Sequence, residues 1–77
     1  MITAYILIQT QVGRPADVAY EASKIPGVKE SESVTGPYDV IARGEAETLD
    51  ELAKLVVKKV QEIDGVTRTL TCPVVRL

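Results

Sequence analysis

Nine lysine and arginine residues against eleven aspartate and glutamate residues give this 77-residue chain a net charge of −2, and it has one cysteine and no histidine. That balance is far from the basic surplus that neutralises phosphates, so direct nucleic-acid binding is not expected, and neither an internal disulfide nor a clustered His/Cys metal site can be built. A single domain this short buries only about 60% of the surface its unfolded chain exposes, which leaves self-association as the remaining source of stability.

The run Met1 to Val12 is apolar, yet no basic residue precedes it. It alternates with Thr3, Gln9 and Gln11 and is too short to span a membrane, so it is expected to be a strand in a cytoplasmic protein with no membrane partner. Ile2, Ala4, Ile6, Ile8 and Val12 fall on one face of that strand and Tyr5 and Leu7 on the other, so both faces carry apolar groups. Gly13-Arg14-Pro15 ends it. Pro15 suits the first turn of a helix, where its missing N–H would have no partner, and the helix is expected from Pro15 to Lys24 with Val18, Ala19 and Ala22 inward and Pro26-Gly27 as its stop.

Val28 to Thr35 reads as a polar edge strand whose charges at Lys29, Glu30 and Glu32 discourage further pairing. After Gly36-Pro37 an antiparallel return strand is expected over Tyr38 to Gly44. Thr48-Leu49-Asp50-Glu51 has the spacing of a capping box, in which hydroxyl and carboxylate each satisfy a free backbone N–H. The helix behind it places Leu49, Leu52, Ala53, Val56, Val57, Val60 and Ile63 on one apolar stripe. The last strand is expected over Val66 to Leu77, at an edge because Pro73 cannot donate to a ladder.

The two halves share one plan: strand, helix, Ile-x-Gly-Val, strand. Ile25-Pro26-Gly27-Val28 closes the first and Ile63-Asp64-Gly65-Val66 the second. This βαββαβ order predicts an α+β, ferredoxin-like sandwich, a four-stranded antiparallel sheet with two helices on one face and the first and third strands central. The other face is left open with Tyr5 and Leu7 on it, and an apolar patch of that kind marks a contact for a dimer.

Gly36-Pro37-Tyr38-Asp39 is, on chemistry alone, an ordinary hairpin turn. With Val34 and Thr35 before it and Gly65-Val66-Thr67-Arg68-Thr69 in register after the second helix, the chain resembles the effector-binding (RAM) domain of the Lrp/AsnC transcription regulators over essentially all 77 residues. The resemblance implies a domain that dimerises through its sheet into a dimeric α/β barrel. It further implies assembly into larger rings, octamers or decamers, with an amino acid or similar small effector held between dimers. Members usually carry an amino-terminal helix-turn-helix domain. This chain starts at the first strand, so a stand-alone domain spanning residues 1–77 is expected, acting on transcription indirectly and co-assembling with full-length regulators. The resemblance points to Val34, Thr35, Gly36, Tyr38 and Asp39 as ligand-binding residues, with Thr69 and Thr71 supplied by a neighbouring subunit.

Asp39 would pair with the effector ammonium, and main-chain N–H groups near Gly36 and Tyr38 would meet its carboxylate, while Pro37 removes one donor. No cofactor, metal or catalytic residue is expected: Cys72 has no base beside it, and Glu30, Glu32, Glu45 and Glu47 are read as edge solubility. Arg14, Arg43, Arg68 and Arg76 are too scattered for a phosphate site and suit solvated or interfacial ion pairs. Two other readings remain, a small dimeric ferredoxin-like enzyme of the oxygenase type and an ACT-like regulatory domain, which shares the βαββαβ order.

Overall fold

A computed structural model describes residues 1–76. Four strands, β1 (Ile2–Thr10), β2 (Val28–Ser33), β3 (Val40–Ala46) and β4 (Val66–Pro73), form one antiparallel sheet in the order β2-β3-β1-β4. The central positions of β1 and β3 agree with the sequence expectation, as do the edge positions of the polar β2 and the proline-ended β4. Leu77, the expected end of β4, lies outside the described residues.

Helix α1 (Pro15–Ser23) starts with proline in its first turn and buries Val18, Ala19 and Ala22. The second helix, α2, takes residues 49–61 in three segments: an opening turn Leu49–Glu51, a π-helical stretch Leu52–Val57 and a closing turn Lys58–Gln61. The Thr48 hydroxyl accepts the Glu51 N–H at 3.1 Å, which is half of the expected capping box. No return bond from the Glu51 carboxylate is found among the described residues.

Both helices cover the same side of the sheet. The core there consists of Ala4, Ile6 and Ile8 of β1, Val40 and Ala42 of β3, Val18 and Ala19 of α1, and Leu52, Val56 and Val60 of α2. Burying a side chain such as Ile6, Ile8 or Leu52 contributes about 1.5–3 kcal/mol.

The stripe on α2 is narrower than its sequence implies. Leu49 and Ala53 are exposed, Val57 and Ile63 are half-buried, and only Leu52, Val56 and Val60, four residues apart, are buried. The π segment accounts for this. Its i→i+5 bonds, such as Lys58 N–H to Ala53 O, wind the backbone more slowly than an α-helix and keep positions four apart in line.

Val56 packs closely against Gly27 and against Gly44 of β3. A methyl group on Gly27 would lie 2.9 Å from Val56 Cγ2 and one on Gly44 3.0 Å from Val56 Cγ1. Gly27 further adopts φ +100°, a conformation side chains disfavour.

The repeat seen in the sequence has a counterpart in hydrogen bonding. Glu45 N–H in β3 donates to Gly27 O at 2.8 Å, and Gln11 N–H, just past β1, donates to Gly65 O at 2.8 Å. Each half thus clasps the turn that closes the other.

Candidate functional site

The segment between β2 and β3 is longer than expected, because β2 stops at Ser33 and β3 starts at Val40. It is nonetheless held at several points. Val34 N–H donates to Asp39 O at 2.9 Å and Asp39 N–H donates to Ile8 O at 2.9 Å. The Gln9 side-chain amide donates to Pro37 O at 3.0 Å, and Thr10 N–H donates to Asp39 Oδ2 at 2.9 Å. The Thr10 hydroxyl lies 3.5 Å from the same oxygen. Asp39 therefore closes the end of the β1–β3 ladder with its side chain, and its Oδ1 makes no hydrogen bond among the described residues.

Gly36 has φ +146°, which a side chain at this position would strain. Thr35, Gly36 and Pro37 are exposed, while Val34, Tyr38 and Asp39 are half-buried. The sequence singled out the turn but not Gln9 and Thr10, which anchor it. Finding them requires the β1–β3 register.

Thr69 and Thr71 are not brought to the turn within one chain. They pair with Ile8 and Ile6 on β1, so they share the helix-facing side of the sheet, and the Thr69 hydroxyl accepts from the Gln61 side chain at 3.1 Å. Two concavities also lie elsewhere. One of about 570 Å³ runs between the helices past Arg14, Tyr20, Lys59 and Glu62, and one of about 280 Å³ lies beside Met1, Gly27, Leu55 and Val56. Neither includes the turn.

The open face of the sheet is organised in rows by register. Ile41, Leu7 and Leu70 form an apolar row across β3, β1 and β4, and Arg43, Tyr5 and Cys72 form the next. Tyr5 is 45% and Leu70 46% exposed, with Leu7 and Ile41 half-buried. Val12, expected to continue β1, lies past its end in the turn closed by Arg14 N–H donating to Gln11 O at 3.1 Å, and is fully exposed.

Arg43 is clamped between two carboxylates, with Nε 2.9 Å from Glu30 and Nη1 2.8 Å from Glu45. The Glu30 hydrogen bond, helped by attraction to both acids and opposed by partial desolvation, raises its pKa above the ordinary guanidinium value. Glu30 and Glu45, read from the sequence as solubilising charges, thus serve a specific ion cluster on the open face.

Element order, strand order and one layer of helices define a ferredoxin-like α+β domain. The sequence profile described as the Lrp/AsnC ligand binding domain matches residues 3–77, and the chain belongs to that family of transcription-regulator domains. It is 36% identical over 72 residues to the uncharacterized HTH-type transcriptional regulator PF0250 of Pyrococcus furiosus, covering 90% of this chain and 48% of that protein. The chain spans about half the length of the curated relatives it matches. Among solved structures, TTHA0845 from Thermus thermophilus superposes with a TM-score of 0.90 at 35% identity, covering all of this chain and 96% of that one. The complex of the transcriptional regulator NMB0573 with L-Met, from Neisseria meningitidis, superposes at 0.81 over 97% of this chain and 50% of that one. At 17% identity it shares the fold. No helix among the described residues is long and apolar enough to cross a membrane.

Proposed function

We propose that this domain binds a small effector of the amino-acid class at the Gly36–Asp39 turn and associates through its open sheet face, so that effector occupancy changes the assembly and, through it, the action of regulators of the same family. The observation that carries the reading is the Asp39 carboxylate. One oxygen is fixed by the Thr10 amide and the other is unengaged, a charged acceptor held in place for an ammonium group.

The turn supplies one side of a site. Val34, Thr35, Gly36 and Tyr38 offer the adjoining backbone, and Thr69 and Thr71, on the helix side of β4, would reach such a site only across a contact between dimers and not across the open face. The NMB0573 complex shows a regulator with this fold holding L-Met. Association follows from the apolar groups left wholly or partly uncovered on the open face, Tyr5, Leu7, Ile41 and Leu70, which water covers in the isolated chain at a cost of roughly 25 cal/mol per Å² of apolar surface. An effector that binds one assembly better than another shifts the equilibrium by that differential affinity, which is the whole of the regulatory signal.

Calorimetric titration of the twenty amino acids into the native chain and an Asp39→Asn variant tests the site. Asparagine keeps an acceptor for Thr10 N–H and removes only the charge. Heat from at least one amino acid that disappears in the variant is the expected result, and equal binding to both proteins removes Asp39 from the site.

A further inference from the structure

Each residue of the buried row Leu52, Val56 and Val60 on α2 is preceded by one that is exposed: Glu51, Leu55 and Lys59. The winding that keeps the first three in line inside therefore keeps the other three in line outside, an acid, an apolar group and a base on one stripe. Leu55, at the centre of the stripe, is 55% exposed. Neither Glu51 nor Lys59 makes an ion pair among the described residues, whereas Lys54 beside them is bound to Asp50 at 3.1 Å. Leu55 also walls the concavity of about 280 Å³ that Met1, Pro26, Ala46 and Val56 line with apolar groups.

We propose that this stripe is a contact surface for a second copy of the chain, whose α2 lies antiparallel across it about a two-fold axis at Leu55. In such a contact the same patch meets itself. The axis sets Leu55 on the partner's Leu55, Glu51 on the partner's Lys59 and Lys59 on the partner's Glu51. Both ion pairs then close between groups that have no counterion within the chain, and both leucines leave water. Parallel packing would set acid on acid and base on base, and the antiparallel arrangement also opposes the two helix dipoles. In the same register Glu62 falls opposite Thr48, which carries no charge. The stripe lies on the helix layer, across the sheet from the open face, so the contact needs nothing of the association proposed there. A contact limited to one helix from each copy belongs to the weak class, under about 1,200 Å². It therefore fills only in concentrated solution, above the range in which the sheet faces meet.

Disulfide cross-linking in concentrated solution tests the axis and the charges together. Leu55→Cys in a Cys72→Ser background leaves one thiol per chain, placed on the axis. Mild oxidation is expected to give a covalent dimer on a non-reducing gel severalfold faster than Ala53→Cys in the same background, an exposed position half a turn round the helix whose thiols do not meet. Adding Glu51→Lys alone, or Lys59→Glu alone, makes both facing pairs alike in charge and is expected to slow the reaction about tenfold. An equimolar mixture of these two charge variants is expected to regain the fast rate, with one chain of each kind in the linked product by mass, because their charges are opposite at both pairs. Circular dichroism of each variant shows that it is folded before oxidation. A mixture that links as slowly as either variant alone overturns the proposal, and so does a Leu55→Cys rate no greater than that of Ala53→Cys.

Discussion

Thr10 N–H, at the last residue of β1, is bound by a side chain, not a strand: Asp39 Oδ2 takes it at 2.9 Å. The carboxylate that ends the β1–β3 ladder is thus the one we propose as the partner of a ligand ammonium, and that role would fall to the oxygen Thr10 does not use. Asp39→Ala leaves a half-buried amide unpaired and is expected to cost about 1–3 kcal/mol. Each kcal/mol corresponds to about 4–8 °C in a domain of this size, so thermal unfolding followed by circular dichroism reads it clearly. Asp39→Asn is expected to recover most of the loss.

The cap of α2 is one-sided, and its two residues are therefore unequal. Thr48→Ala is expected to destabilise by about 1 kcal/mol, whereas Glu51→Gln is expected to fall within about 0.5 kcal/mol of the native chain. Urea titration distinguishes them, and equal losses would show that the reciprocal bond forms in solution.

Val56 fits because Gly27 and Gly44 have no side chains. Gly44→Ala is expected to destabilise by about 1–3 kcal/mol through overpacking, and Val56→Ala by its lost packing. Their combination is expected to cost less than the sum by about 0.5–3 kcal/mol, because the smaller side chain removes the clash the alanine creates. Additive losses would mean that the helix shifts rather than presses on Gly44.

Leu7→Asp or Leu70→Asp places a charge on the open face without touching the helix-side core. Each is expected to give a folded monomer by sedimentation velocity under conditions where the native chain associates. Cys72 gives a second reading of the same surface. It is exposed in the single chain and pairs with Tyr5, so its reaction with a disulfide reagent is expected to slow as protein concentration rises. A rate independent of concentration would place the contact elsewhere.

Much of the fold was legible because it follows from local chemistry. Pro15 and the Thr48 hydroxyl mark helix starts, Pro26-Gly27 and Asp64-Gly65 mark stops, and the charges of β2 and Pro73 of β4 put both strands at edges. What escaped depends on register. Arg43 meets Glu30 only because β2 and β3 align in one way with an irregularity between Val28 and Glu30, and Thr10 meets Asp39 only because β1 ends where β3 begins. The π segment escaped as well. The spacing of Leu52, Val56 and Val60 suits an α-helix equally well, so sequence periodicity gives no sign of it. Thr69 and Thr71 lie on the strand named for them, but on the side that faces α2.

The reciprocal bonds from Glu45 to Gly27 and from Gln11 to Gly65 have a further consequence. Each βαβ half leaves its closing turn without a partner unless the other half is present, so neither should hold its shape alone. Two peptides divided between Thr35 and Gly36 are accordingly expected to be unstructured apart and to reconstitute the native spectrum when mixed, behaving as interlocking pieces of one object.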